Sequence, residues 1–356
     1  MGQIGIAAFT DRGKALAGHL REILSSQYEI CMYDTGLRAW CESMFSCHSE
    51  AIVFVGACGI AVRSIAPFLK SKTSDPAVLV IDESGQYVIS LISGHIGGAN
   101  RLALFVADQI GATPVITTAT DVNGKFAVDV FAEDNHLGIA SMKAAKEISA
   151  AILRGETVLL HCDGKITGRI PAELTLSAKA GQNRKDHEVR SADEERTGEG
   201  HMIWISEKAP DPEETEFTVL HLYPKKYVLG IGCRKDRPES VIEAEVSKVL
   251  QNLSISMNEI AGAASIDLKK EEKGLLSFCR KNHLPFRTYS AEILQKTEGD
   301  FSASSFVRET TGVDNVCERA ALCMAGEGGR LIQRKHADTG VTVAVAVRDW
   351  SVHFGE

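Results

Sequence analysis

Short apolar segments alternate with amphipathic segments of helical period in the first third of the chain. Strand-like apolar runs at 3–9, 28–33 and 51–55 are separated by helical stretches at 11–24 and 37–45. A period near two marks strands and a period near 3.6 marks helices, so this alternation predicts βαβ units around a parallel sheet.

Two further apolar runs, at 77–81 and 87–92, flank a turn that contains glycine. They predict a hairpin or a pair of adjacent strands. Helical periodicity follows at 99–110, and PVITT at 114–118 is a short strand candidate. The N-terminal domain is predicted to close near residue 135.

The rest of the chain predicts two more units. A helix and short strands occupy 136–225, together with a charged tract at 179–201 that cannot contribute to a core. That tract is open to two interpretations, a lid or a dispensable linker. From residue 226 the α/β alternation restarts and runs to 356. The predicted fold class is therefore a multi-domain α/β protein with parallel or mixed sheets and flanking helices, divided into an N-terminal domain (1–135), a small middle domain (136–225) and a C-terminal α/β domain (226–356).

Charge and composition disfavour several classes of partner and site. A net charge of -8 and a pI near 5.8 disfavour nucleic acid and anionic membranes as partners. No apolar run reaches membrane-spanning length, and the first residues lack the basic start of a signal peptide, so we expect a cytoplasmic protein. The nine cysteines form no C-x-x-C pair and the eleven histidines are scattered. We expect reduced thiols and no protein-built metal site.

One glycine-containing turn follows the apolar run at 51–55. Gly56 and Gly59 lead into a helix, and Arg63 lies one turn further on. Exposed N–H groups at a helix start attract anions, and an arginine can grip a carboxylate with two hydrogen bonds. A purely structural turn with a solvated arginine is the equally weighted alternative.

The segment after the run at 87–92 is the best candidate for proton transfer. Gly94, Gly97 and Gly98 allow a ligand to approach the backbone, while Ser93 and His95 add a hydroxyl and a base that titrates near neutral pH. The alternative is that the histidine only caps or packs against the following helix.

Polar residues also follow the strand candidate at 114–118. Thr117, Thr118 and Asp121 stand at the kind of sheet end where open α/β folds collect ligands. Asp121 could orient His95 or bind a substrate hydroxyl. Its alternative role is to cap a helix that begins near Asn123.

A second strand-to-glycine segment, YVLGIGCRKDRP, begins the C-terminal unit. Lys235 stands where a dinucleotide fingerprint needs its third glycine, so a dinucleotide site is poorly supported. Gly232 and Arg234 could instead cradle carboxylates, or they could form a basic surface turn.

Several uncommon segments occur together and in order. The run from GACGIAVR through LISGHIGGAN to TPVITTATDVNGKFAVD resembles the N-terminal region of the CbiG family of cobalamin biosynthesis. The segments GIGCRKD, ASIDLKKEEKGL, TGVDNVCERAAL and GVTVAVAV resemble that family's C-terminal domain, which also occurs alone as CobE. The resemblance covers nearly the whole chain except its variable middle.

The resemblance implies a substrate and a reaction. The substrate is cobalt-precorrin-5A, a tetrapyrrole that bears many carboxylates and carries the cobalt itself, so no further cofactor is expected. The implied reaction is hydrolysis of the lactone between the ring A acetate and C20, followed by loss of the C20 unit as acetaldehyde to give cobalt-precorrin-5B. Neighbouring pathway methyltransferases and a second copy of the chain are left open as partners. A non-catalytic tetrapyrrole carrier is the main alternative, and a nucleotide-sugar or dinucleotide enzyme is the second.

We hypothesise that His95 is the general base and that Asp121 orients it. Backbone N–H groups around Gly94, Gly97 and Gly98 would hold the oxyanion. Substrate would lie in a cleft between the first and third domains. The residues predicted to contact it are Gly56, Gly59, Arg63, Ser93, Gly94, Gly97, Gly98, Asn100, Thr117, Thr118, Gly232 and Arg234.

Overall fold

A computed structural model describes most of the chain. The described residues are 2–47, 49–71, 74–95, 97–177, 200–211, 217–303 and 305–355. The predicted charged loop at 179–201 therefore lies almost wholly outside the described residues. The chain divides into two compact units, the first comprising Met1–Phe131 with Ser149–Glu156 and the second Ala132–Ile148 with Thr157–Glu356.

Six strands form the sheet of the first unit. They are β1 (Gly2–Ala8), β2 (Tyr28–Met32), β3 (Ala51–Val55), β4 (Ala77–Ile81), β5 (Tyr87–Ile92) and β6 (Thr113–Val115). Their order is β2-β1-β3-β4-β5-β6. The first four run parallel, whereas β5 is antiparallel to β4 and β6 is parallel to β5. The sheet is thus mixed, and the hairpin predicted from the turn between β4 and β5 is present.

Seven helices precede residue 154 in the described chain. They are α1 (Asp11–Leu24), α2 (Leu37–Ser46), α3 (Cys58–Ile65), α4 (Ala99–Ile110), α5 (Ala119–Val122), α6 (Val128–Asp134) and α7 (Met142–Leu153). Every residue of β3 and β4 is buried, with α1 and α4 packed on one face and α2 and α3 on the other. Burial on both faces explains why these two strands are continuous apolar runs rather than alternating ones.

The middle of the chain supplies a second sheet. The strands of this part of the chain are β7 (Leu137–Ile139), β8 (Val158–Cys162), β9 (Lys165–Thr167), β10 (Leu174–Leu176), β11 (His201–Ile205) and β12 (Thr218–Pro224). Five of them form the order β10-β8-β11-β12-β7, in which only β7 is antiparallel to its neighbour. β9 pairs instead with a strand near the C-terminus.

The third sheet begins with the predicted YVLGIGC strand. The remaining elements are β13 (Tyr227–Cys233), α8 (Glu239–Asn252), β14 (Ile260–Ile266), α9 (Lys273–Lys281), β15 (Phe286–Tyr289), α10 (Ala291–Lys296), α11 (Ser305–Thr311), α12 (Cys317–Ala325), β16 (Arg330–Asp338), β17 (Val341–Val347) and β18 (Ser351–His353). The sheet order is β15-β14-β13-β17-β16. The predicted multi-domain α/β class is confirmed, while the boundaries at 135 and 225 stay predictions.

Two further features bear on the sequence analysis. All nine cysteines are free thiols. Among the described helices, none is long and apolar enough to cross a membrane.

Candidate active site

The turn after β5 brings the chain sharply into α4. Ser93 adopts a left-handed conformation (φ 58°), and its hydroxyl donates to the carbonyl oxygen of Asp75 at 3.0 Å. The N–H groups of Ala99 and Asn100 donate to the carbonyl oxygens of Ser93 and Gly94 at 3.1 and 2.9 Å. A non-glycine residue held in this conformation costs about 1–2 kcal/mol, so the surrounding hydrogen bonds must fix the turn.

Glycines in this turn are required by close packing within the protein. A Cβ atom on Gly97 would lie 2.3 Å from Ser93 Cβ, and one on Gly94 would lie 2.8 Å from Asn100 Oδ1. Neither distance is compatible with a side chain. The glycines therefore let the turn close on itself, whether or not a ligand also approaches them.

A Gly97→Ala substitution is expected to lower the free energy of unfolding by about 1–3 kcal/mol, because the new methyl group cannot fit. Gly18→Ala is the matched control, since a Cβ there meets nothing within 4 Å and should be neutral or slightly stabilising. Denaturant unfolding of the two full-length variants measures both. Equal midpoints for Gly97→Ala and wild type would contradict the packing argument.

His95 lies between two carboxylates. Its Nε2 is 2.7 Å from Asp121 Oδ2, and its Nδ1 is 3.2 Å from Asp129 Oδ2. Thr120 Oγ1 is also 3.1 Å from Nε2. Carboxylates only accept hydrogen bonds, so both ring nitrogens must carry protons to satisfy them. The arrangement thus favours the imidazolium form of His95.

Electrostatics agree with that geometry. The hydrogen bond to Asp129 raises the pKa of His95 most; burial opposes it, and the hydrogen bond to Asp121 adds to it, so the net pKa is raised. Burial by itself raises the pKa of Asp129, but its hydrogen bond and charge interaction with His95, together with backbone hydrogen bonds at Val130 and Asp129, outweigh burial and leave that pKa lowered. Both shifts favour the charged forms of the pair.

Asn100 holds the carboxylate side of the cluster in place. The residue is only 7% exposed. Its amide donates to Thr118 Oγ1 at 2.9 Å and to Asp121 Oδ2 at 3.0 Å, and its Oδ1 accepts from the Ser90 hydroxyl at 2.6 Å. These hydrogen bonds place Asn100 to position Asp121, and its contact with substrate stays a prediction.

A cavity of about 280 Å³ opens beside His95. Strand β5, the turn, the residues after β6 and the start of α6 supply its walls. The lining residues are Ser90, Leu91, Ile92, Ser93, Gly94, His95, Thr117, Thr118 and Asp129. Because β5 and β6 are parallel, their carboxyl ends meet at one edge of the sheet, which brings the predicted residues Thr117 and Thr118 to His95.

The predicted group Gly56, Gly59 and Arg63 is not brought to this edge. The N–H of Gly56 donates to the carbonyl oxygen of Ile81, at the carboxyl end of β4, whereas β5 ends beside Val78. Val78 and Ile81 are about 10 Å apart along β4 at 3.3 Å per residue. This separation follows from the reversed direction of β5.

Two other predictions concern residues whose backbone N–H groups donate within the protein. The N–H of Gly98 donates to the carbonyl oxygen of His95 at 2.8 Å, and its role as an oxyanion donor stays a prediction. Gly232 and Arg234 lie in the second compact unit, where the N–H of Arg234 donates to the carbonyl oxygen of Gly340 at 2.9 Å. Their contact with substrate stays a prediction.

Asp129 is the cluster residue that the sequence analysis did not select. It stands at the end of the segment TPVITTATDVNGKFAVD, only eight residues beyond Asp121. Its side chain is 13% exposed, against 40% for Asp121. One carboxylate therefore faces the protein interior and the other faces solvent.

The fold and site together define a class of protein. A several-sheet α/β protein with an imidazolium flanked by carboxylates on a cavity wall can exchange protons with a bound small molecule.

Three family models match most of the chain: Cobalamin synthesis G N-terminal at 39–121, Cobalamin biosynthesis central region at 126–224 and Cobalamin synthesis G C-terminus at 227–346. The chain belongs to the CbiG family of cobalamin-synthesis proteins.

Two of the following relatives cover most of the chain, and the third covers a third of it. A cobalt-precorrin-5A hydrolase from Salmonella typhimurium is 35% identical over 88% of this chain and 86% of its own length. A cobalt-precorrin-5A hydrolase from Priestia megaterium is 30% identical over 98% of this chain and 96% of its own. Protein CobE from a Sinorhizobium species is 29% identical over 33% of this chain and 78% of its own length. The resemblances to CbiG and CobE inferred from the sequence are confirmed.

Proposed function

We propose that this chain is a cobalt-precorrin-5A hydrolase, which opens the lactone between the ring A acetate and C20 and releases the C20 unit as acetaldehyde. The product is cobalt-precorrin-5B. The observation that carries the chemistry is His95 held between Asp121 and Asp129 on a cavity wall. The identity of the substrate is supported by the two hydrolases that align with nearly the whole chain.

Lactone hydrolysis needs a base for the attacking water and an acid for the departing oxygen. Asp121 is the more exposed carboxylate of the cluster and is proposed as the base. His95 in its imidazolium form is proposed to turn its Nε2–H from Asp121 to the substrate, where it stabilises the oxyanion and donates the proton. This division of roles differs from the hypothesis drawn from sequence, because the histidine has no unprotonated nitrogen while both carboxylates are bound.

The second half of the reaction uses the same groups. Deprotonation of the hydroxyl on C20 lets the carbon–carbon bond to the macrocycle break, so C20 and its methyl group leave as acetaldehyde. The electron pair of the broken bond stays on the conjugated macrocycle, which also carries the cobalt. The proposal therefore includes no cofactor beyond the substrate itself.

The size of the cavity limits how much of the substrate can enter it. A volume near 280 Å³ is too small for a whole tetrapyrrole, so the cavity is proposed to take only the lactone edge. The hydroxyls of Ser93, Thr117 and Thr118 are proposed to contact that edge. The predicted contacts at Gly56, Gly59, Arg63, Gly232 and Arg234 would then serve more distant carboxylates, and each stays a prediction. So do the cytoplasmic location, the pathway methyltransferases as partners and a homodimer.

The test is acetaldehyde release from cobalt-precorrin-5A by the purified full-length chain without oxygen. We expect one acetaldehyde per substrate and turnover well above the rate without protein. Binding of the macrocycle without acetaldehyde would favour the carrier alternative and overturn the enzyme proposal. If the chain does not bind the macrocycle, both the enzyme proposal and the carrier alternative are contradicted.

A further inference from the structure

A second polar cluster lies in the other compact unit. Glu245 is on helix α8, while His336 and Asp338 are on strand β16. Residues two apart on a strand point to the same face, so both β16 side chains can face the helix. One ligand-type atom from each of the three residues lies within 4.8 Å of the others.

Two buried atoms of this cluster lack hydrogen-bond partners. Glu245 is 7% exposed; its Oε1 accepts from the Thr339 hydroxyl at 3.1 Å, but its Oε2 has no hydrogen-bond partner in the described part of the chain and only an ion-pair contact with His336. His336 Nε2 likewise has no hydrogen-bond partner there. Leaving a buried carboxylate oxygen unpaired costs about 1–3 kcal/mol or more. Native structures rarely keep such an atom without a function.

The spacing of these atoms fits shared ligation better than a hydrogen bond. Glu245 Oε2 and His336 Nε2 are 3.6 Å apart, beyond normal hydrogen-bond length. Two ligand atoms about 2.0–2.1 Å from a tetrahedral Zn²⁺ lie about 3.3–3.4 Å from each other. A shift of a few tenths of an ångström would therefore let both atoms bind one ion.

Asp338 supplies the third ligand atom, and its carboxylate also contacts a lysine. Lys248 Nζ lies 3.1 Å from Asp338 Oδ2. Both side chains are about half exposed, so this contact is weak and can rearrange. The ammonium nevertheless competes with any cation for the same carboxylate.

We propose that Glu245, His336 and Asp338 bind one divalent transition-metal ion of the Zn²⁺ type, with water completing its coordination. One imidazole with two carboxylates suits such ions better than Ca²⁺ or Mg²⁺, which prefer oxygen alone. The ion would cross-link helix α8 and strand β16 at the edge of the third sheet. The site is independent of the proposed reaction.

Zn²⁺ titration of the reduced, chelator-treated full-length chain tests this by calorimetry. Since free thiols also bind Zn²⁺, the readout is the difference between matched proteins. His336→Gln and Glu245→Gln should each lose one equivalent of bound ion, or bind it at least about tenfold more weakly. Lys248→Ala should bind the ion more tightly, because it frees Asp338. Glu243→Gln, on the same helix but paired with Lys281, is the control and should match wild type.

Thermal unfolding gives a second readout. Zn²⁺ should raise the unfolding temperature of wild type and of Glu243→Gln, but not that of His336→Gln. Unchanged stoichiometry and affinity in His336→Gln would overturn the proposal. Weaker binding by Lys248→Ala would also overturn it, because loss of a competing cation cannot weaken a metal site at Asp338.

Discussion

His95→Gln is expected to lower kcat for acetaldehyde release by about 100- to 10,000-fold, the usual contribution of a general acid or base. Glutamine can still hydrogen-bond near the two carboxylates but cannot transfer a proton. The measurement is acetaldehyde release from cobalt-precorrin-5A without oxygen, with substrate binding followed in parallel by the absorbance of the macrocycle.

The control for this variant is His19→Gln. His19 lies on α1 with its side chain 57% exposed, so its replacement should leave activity unchanged. A His95→Gln protein that binds substrate and keeps full activity would remove His95 from the mechanism. Loss of binding together with activity would instead show that the histidine holds the substrate.

Asp129→Asn is expected to move the pH profile of kcat. Asparagine can still accept a hydrogen bond from Nδ1, but the carboxylate whose hydrogen bond and charge raise the pKa of His95 is gone, so that pKa should fall. If His95 acts as an acid, activity is lost as pH rises through its pKa. The alkaline limb of the profile should therefore move to lower pH in Asp129→Asn.

The same variant separates the two assignments of His95. A histidine acting as a base would lose activity as pH falls, so Asp129→Asn would move the acid limb instead of the alkaline limb. NMR titration of the His95 ring protons measures the pKa directly. Asp108→Asn, on the exposed side of α4 with its side chain next to Gln109, is the control and should leave both limbs in place.

The stability of the fold should depend on pH through the same ion pair of His95 and Asp129. The raised pKa of His95 stabilises the fold fully below its ordinary value of about 6.5, and this contribution is lost as pH rises through the raised value. The lowered pKa of Asp129 stabilises the fold above about 3.9 and loses effect as pH falls through the lowered value. Wild type should exceed Asp129→Asn in unfolding temperature most clearly between those two limits.

Much of the architecture could be predicted from local pattern. The buried runs at Ala51–Val55 and Ala77–Ile81 and the helix at Ala99–Ile110 appear where the apolar periodicity places them. Strand β14 (Ile260–Ile266) was not predicted, because its sequence IAGAASI is rich in small residues with no strong strand preference. Its burial comes from pairing with β13 and β15, which is a tertiary effect.

The proposed site was only partly predictable. His95 and Asp121 were selected because they follow strands, and the structure places them in contact. Asp129 was passed over because no local motif marks a carboxylate that reaches back to a turn 34 residues earlier. The sequence also could not show that β5 runs antiparallel to β4, since strand direction is set by pairing rather than by the apolar pattern.

The direction of β5 has a further consequence, for folding. Since β5 and β6 run against the first four strands, the whole His95 cluster is built from a contiguous stretch between Asp75 and Asp129. Contacts between residues close in sequence form early, because little chain entropy is lost in closing short loops. We therefore expect this stretch to acquire its hydrogen bonds as one cooperative unit, without waiting for β1 and β2 to join the sheet.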